Sequence, residues 1–318
     1  MNQPLPMRWI YLWILSLCFN LATAPSVRAD RVTNAYKQIQ KGEFDKAKEQ
    51  LDKQLEKDSL SAGAFHIYAV YYFSENNPAY DIDSAYAFVR KAIDYYPQVN
   101  EKDLADWAKD DISLDAAYKL KSAVEVKAFS NATQENTVAS FQAFLDKFPG
   151  AEDSKLAVAY RNKIAWEEAQ SLNTLESYQY FINRFPQAEQ IPDAIKRRDR
   201  FVYNAETQGG RLSDYRQFAR NFPDNSYLSE AIEQIYVLRS VDHSIKNYHD
   251  FAQEYPKSEA TKKAWDWLLA LYQAEHGINN FIIQYPGYYQ PDYLEKISQV
   301  DRLQYVPVYE QELLWFYG

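Results

Sequence analysis

The chain has 318 residues, with 35 Lys and Arg against 44 Asp and Glu, giving a formal net charge of −9. An acidic balance disfavours a general nucleic-acid surface, and 47% hydrophobic residues with 16% aromatics exclude a disordered polymer. Only 8 Gly stand beside 27 Tyr, 17 Phe and 7 Trp, a composition suited to helices packed through large amphipathic rings.

Residues 1–29 differ from the rest. Arg8 supplies a positive charge, Trp9 to Ala24 carries none and is nearly all apolar, and Val27, Arg28, Ala29 place small residues where a signal peptidase reads them. This predicts a secretory signal peptide cleaved after Ala29. The rival is an uncleaved anchor, because the apolar run is near the lower limit for spanning a bilayer. Cys18, the sole cysteine, raises a third reading, lipid attachment, but such sites want a small residue just before the Cys and Leu17 stands there. Cleavage would leave a mature chain without cysteine, in a compartment that permits disulfides. Losing Arg8 and Arg28 would leave 33 cations against 44 anions, a net −11.

Residues 30–97 hold two predicted helix pairs. Ala35, Gly42, Phe44, Ala47, Leu51 and Leu55 fall where a small residue lets helices cross, Gly turns the hairpin, and an aromatic and Ala start the second helix. This stretch resembles one unit of the tetratricopeptide repeat. The next pair is predicted as Ala62 to Phe73 and Ser84 to Ile93, separated by an irregular stretch, with Pro97 beyond. Residues 98–135 carry charged, Ala-rich helical periodicity and are read as a bridging helix pair, with Leu104, Trp107, Ile112, Leu120, Val124 and Phe129 expected to be buried.

From 136 to 289 one string returns four times: an aromatic, two residues, Phe, three residues, an aromatic, Pro. The copies are Phe141, Phe144, Phe148, Pro149; Tyr178, Phe181, Phe185, Pro186; Tyr215, Phe218, Phe222, Pro223; and Tyr248, Phe251, Tyr255, Pro256. An eroded fifth holds Phe281, Tyr285 and Pro286. Residues at i, i+3 and i+7 share a helix face, and Pro ends the segment, so each copy predicts a short helix with one aromatic stripe. Ala157, Ala194, Ala231 and Ala264 each stand eight residues after a proline, where a small side chain admits the next helix. The prolines are 37, 37, 33 and 30 residues apart, the period of stacked helical hairpins. Such units cannot bury their apolar faces alone, so they occur in series. Tyr180, Tyr288 and Tyr289 lie off the stripe and are expected to be exposed.

These helices resemble the variant tetratricopeptide-like repeats of bacterial envelope proteins such as the outer-membrane β-barrel assembly lipoprotein and the periplasmic Tol-Pal coordinator. The resemblance implies an all-α solenoid of helix-turn-helix pairs whose extended surface holds partners. Residues 290–318 follow, and the partly alternating, β-prone run from Leu303 to Gly318 is read as a cap on the last repeat or the start of a further domain.

Motifs for chemistry are weak. His66, His243, His249 and His276 lack metal-ligand spacing, and neither a Gly-rich phosphate loop nor GxSxG occurs; Gly209 and Gly210 mark a turn between helices. Helical superhelices also occur in murein-cleaving lytic transglycosylases, whose catalytic Glu is followed by Ser, and Glu176 and Ser177 offer that dipeptide. Yet the repeat equivalents of Glu176 are Ala139 and Ser213, and the family's Gly-Leu-Met-Gln stretch is missing. No catalytic residue, metal site or cofactor is therefore expected.

A local excess of cations, Lys196, Arg197, Arg198, Arg200, Arg211, Arg216 and Arg220, interrupts the acidic chain. Ile195, Phe201, Val202 and Ala205 are read as the buried stripe of their helix, leaving Lys196, Arg197 and Arg200 facing solvent. Lys196, Arg197, Arg200, Arg216 and Arg220 make a candidate patch for an acidic partner or an anionic cell-wall polymer. The sequence thus predicts a non-catalytic, exported scaffold, periplasmic or outer-membrane-associated, that binds a protein or peptide partner. Its membrane association would be indirect or through an uncleaved N-terminal segment. The alternatives are a glycan-binding module, or the recognition part of a longer envelope enzyme.

Overall fold

The computed structural model describes residues 30–276 and 281–288, and among these the regular elements are all helical. Consecutive helices pack in pairs, the arrangement of an α-solenoid. Residues 1–29, which the sequence predicts to be a signal peptide, Tyr289 and the tail 290–318 lie outside the described residues. Among those described, no helix is long and apolar enough to cross a membrane. The chain divides into two compact units, Met1–Arg161 and Asn162–Gly318.

In the first unit α1 (Arg31–Gln40) starts on Asp30, whose carboxylate accepts from the Val32 N–H at 3.2 Å. Gly42, at a φ of 75°, turns the chain into α2 (Phe44–Lys57), and Ala35, Ala47 and Leu51 are fully buried where the pair crosses. The apolar helix α3 (Ala62–Phe73) matches its predicted bounds and is buried along nearly its whole length. Helix α4 (Ile82–Tyr95) outruns its predicted bounds at both ends, because Asp81 caps it by accepting from the Asp83 N–H at 3.0 Å and the turn Tyr96–Gln98 continues it. The Phe88 ring lies nearly parallel to Tyr68, at 4.8 Å, and to Tyr72, at 5.5 Å, which joins α3 to α4.

The bridging segment forms a short α5 (Glu101–Trp107) and a long α6 (Leu114–Glu135). Trp107, Ile112 and Val124 are buried as expected, whereas Leu104, Leu120 and Phe129 are half-buried. Trp107 closes over α3 at Gly63, where even one methyl group would come within 2.7 Å of the indole. Its N–H donates to the Asp30 carboxylate at 2.5 Å, tying α5 to the start of α1. Helix α7 (Val138–Lys147) begins the regular array, and α8 (Ser154–Leu172) contributes residues to both units.

The second unit continues with α9 (Leu175–Arg184), α10 (Ile191–Glu206), α11 (Leu212–Asn221), α12 (Leu228–Arg239), α13 (Ile245–Glu254), α14 (Glu259–His276) and the single turn α15 (Phe281–Gln284). Each helix of the aromatic string stops one residue before its third ring. Phe148, Phe185, Phe222 and Tyr255 sit at the C-cap with φ between −117° and −129°, pushed out of the helical region by the proline that follows. The helices also share a start that the proline period does not reveal. Asn136, Asn173, Gly210 and His243 all have φ between 44° and 64°, and Thr137, Thr174 and Ser244 then cap α7, α9 and α13 through their hydroxyls. Repeated left-handed and capping residues thus fix where each pair begins.

Ring packing links these local signals to the architecture. Within each string the second and third rings lie 5.2–5.6 Å apart in all five copies. A fourth ring, twelve residues before the first, comes from the preceding helix. Phe129 meets Phe144 at 5.5 Å, Trp166 meets Phe181 at 5.3 Å, Tyr203 meets Phe218 at 5.3 Å and Tyr236 meets Phe251 at 5.4 Å. In the eroded copy Tyr272 takes that place, 5.4 Å from Phe281. Ala157, Ala194, Ala231 and Ala264 are each 0% exposed, as their spacing predicts. Tyr288 departs from expectation: it is buried, because its N–H turns back onto the Tyr285 carbonyl and its ring packs edge-on against Phe281.

Adjacent residues on α9 give a controlled test. Phe181 is 1% exposed and Tyr180 is 66% exposed. Phe181→Ala should lower stability by about 3–5 kcal/mol and Tyr180→Ala by no more than about 0.5 kcal/mol, read as shifts in the urea midpoint. Equal shifts would contradict the ring-packed core.

Candidate functional site

The buried residues of α10 are Ala194, Asp199 and Tyr203; Ile195, Phe201 and Val202 are half-buried, and Ala205, expected inside, is exposed. The stripe is displaced because Tyr203 supplies the fourth ring for α11 and Asp199 faces the turn after α11. Of the five candidate cations, Lys196, Arg197 and Arg220 are exposed, the first two as expected. Arg197 lies over the Trp166 and Tyr178 rings at 5.7 and 5.9 Å. Arg200, far from free in solvent, is half-buried: its guanidinium stacks 3.8 Å from the Tyr227 ring and donates to Glu230 at 3.1 Å. Arg216 shares Glu254 with the buried Arg239, at 3.0 and 2.5 Å. Arg200 and Arg216 are thus paired with carboxylates of the fold, and Arg197 rests on rings while staying exposed.

Asp199, 2% exposed, was missed by the sequence reading because a single acid on a helix has no periodic signature. Its carboxylate accepts from the Ser226 N–H at 2.8 Å, the Ser226 hydroxyl at 2.7 Å and the Arg198 guanidinium at 2.6 Å. Burial pushes its pKa up, but the Ser226 and Arg198 hydrogen bonds outweigh burial and leave it below the ordinary aspartate value. This fastens α10 to the turn after α11.

That turn, with α9 and α10, encloses a groove of about 630 Å³. Leu175, Tyr180, Val202, Phe222 and Pro223 supply apolar surface, and Glu176, Gln179, Asn221 and Asp224 are polar lining residues. Tyr180 and Leu175 are exposed, although Phe181 beside them is buried. Ser177, the partner of Glu176 in the dipeptide, is 8% exposed and committed to the fold: its hydroxyl donates to the Ala169 carbonyl at 3.0 Å and accepts from the Thr174 N–H at 3.2 Å. Ser140 makes the equivalent bonds one repeat earlier, so the serine belongs to the capping motif. What the groove offers is apolar surface with carboxylate and amide groups.

No family model matches the chain, and no curated protein matches it. The functional reading therefore rests on the geometry of the site.

The histidines are dispersed, and two of them bond to tyrosines. His243 Nδ1 lies 2.8 Å from the Tyr248 hydroxyl, the place held two repeats earlier by Asn173, which accepts from Tyr178 at 2.8 Å. His66 is 4% exposed in α3, with Nδ1 2.7 Å from the Tyr96 hydroxyl. Burial pushes its pKa down to about 4, against a smaller upward pull from Asp111. Between pH 6.5 and about 4 the unfolded chain binds a proton that the folded chain refuses, so stability falls as pH is lowered across that window. His66→Gln should remove about 3 kcal/mol of that decline, measured as urea stability at pH 7 and pH 4. An unchanged pH dependence in the variant would contradict the assignment.

Proposed function

We propose that the chain is a non-catalytic scaffold of the cell envelope, exported by its N-terminal segment, that holds a protein or peptide partner on a tetratricopeptide-like array. The observation that carries this reading is the groove between α9, α10 and the turn after α11. Its apolar residues Leu175 and Tyr180 lie outside the ring-packed core and face solvent beside it. Exposed apolar surface in a concave site marks recognition more often than packing, and a repeat array supplies an extended, rigid frame for it. Partner selection would come from apolar anchors and polar groups around the groove.

Affinity capture from the native cell envelope, with the chain and its Tyr180→Ser variant as baits and mass spectrometry as readout, tests this. The expected result is a small set of envelope proteins enriched by the unaltered chain and depleted about tenfold or more with the variant. Retention on peptidoglycan alone, equal for both baits, would support the glycan-binding alternative and overturn the scaffold reading.

A further inference from the structure

We infer that the groove over Asp199 takes a short apolar peptide segment flanked by Lys or Arg, an occupant of opposite charge to the acidic partner that the cation cluster suggests by count. The inference rests on the scaffold reading above and specifies the chemistry of the partner.

Charge complementarity carries it. The one cation among the lining residues is Arg198, and its Nε and Nη2 both donate to Asp199, at 3.0 and 2.6 Å. Glu176 and Asp224, by contrast, are exposed carboxylates with no ion pair among the described residues. Arg197 and Arg220, the neighbouring cations in sequence, are not among the lining residues. A ligand in the groove therefore meets two uncompensated negative charges and no uncommitted positive one, within a chain of net charge −9.

The remaining lining residues set the rest of the ligand. Leu175, Tyr180, Val202, Phe222 and Pro223 reward apolar side chains, and a volume of about 630 Å³ admits only a few of them. Asn221 and Gln179 present amides that can both donate and accept, as a peptide backbone requires. The Asp199 to Ser226 hydrogen bonds hold α10 and the turn after α11 together, so the groove is formed before the ligand arrives.

The test uses the full chain and two fluorescein-labelled short peptides, one alternating Leu or Phe with Lys and one with Glu in place of each Lys, followed by fluorescence anisotropy at low salt. The Lys peptide should bind about tenfold or more tightly than the Glu peptide, and added salt should narrow the gap. Tyr180→Ser should weaken Lys-peptide binding about tenfold, and the double variant Glu176→Lys with Asp224→Lys should abolish or reverse the preference. Equal binding of both peptides, lost in Tyr180→Ser, would overturn the charge inference and leave the peptide-holding reading standing. Binding unaffected by Tyr180→Ser would remove the groove as the site. Binding of neither peptide would overturn both readings, and so would a concentration-dependent dimer dissolved by Tyr180→Ser, which would identify a second copy as the occupant.

Discussion

The contact on which the fold depends is between a ring on the second helix of one pair and the ring stripe on the first helix of the next. Phe129, Trp166, Tyr203 and Tyr236 occupy equivalent positions, and each lies within 5.3–5.5 Å of the second ring in the string that follows it. Aromatic pairs at such separations add about 0.5–1.5 kcal/mol each beyond the area they bury. In these four repeats the stripe of the first helix is completed by a ring from the preceding helix. That is why the pairs come in series, and why a fully buried alanine stands where the following helix must approach.

Much of this was legible in the sequence because it is periodic. The spacing of Tyr178, Phe181 and Phe185 gave the stripe, Pro186 the stop and Ala194 the crossing point. The fourth ring is present in the sequence at constant spacing too, but nothing local says that Trp166 packs forward onto Phe181. That requires knowing which helices touch. Trp107 over Gly63 and Asp199 against Ser226 are one-off contacts between segments distant in sequence, which no periodicity can announce. The Ala205 misreading has the same origin: a stripe drawn from apolar residues alone ignored the acid and the ring that actually face neighbours.

The candidate site was less legible than the fold. Counting charges drew attention to Lys196, Arg197, Arg200, Arg216 and Arg220, but packing commits Arg200 and Arg216 to carboxylates and lays the exposed Arg197 over rings. Glu176 and Asp224, unremarkable in an acidic chain, remain uncompensated at an apolar groove. The repeat scaffold makes this distinction possible, because a residue held at every equivalent position packs the array, while Tyr180 has Ala143 and Gln217 at its equivalent positions and stays exposed.

Native-state hydrogen exchange on Tyr203→Ser tests the central claim most directly. If Tyr203 completes the core of the next pair, amide protection should fall together in α10, α11 and α12, through a shared opening. Loss confined to α10, with α11 and α12 as protected as in the unaltered chain, would contradict it.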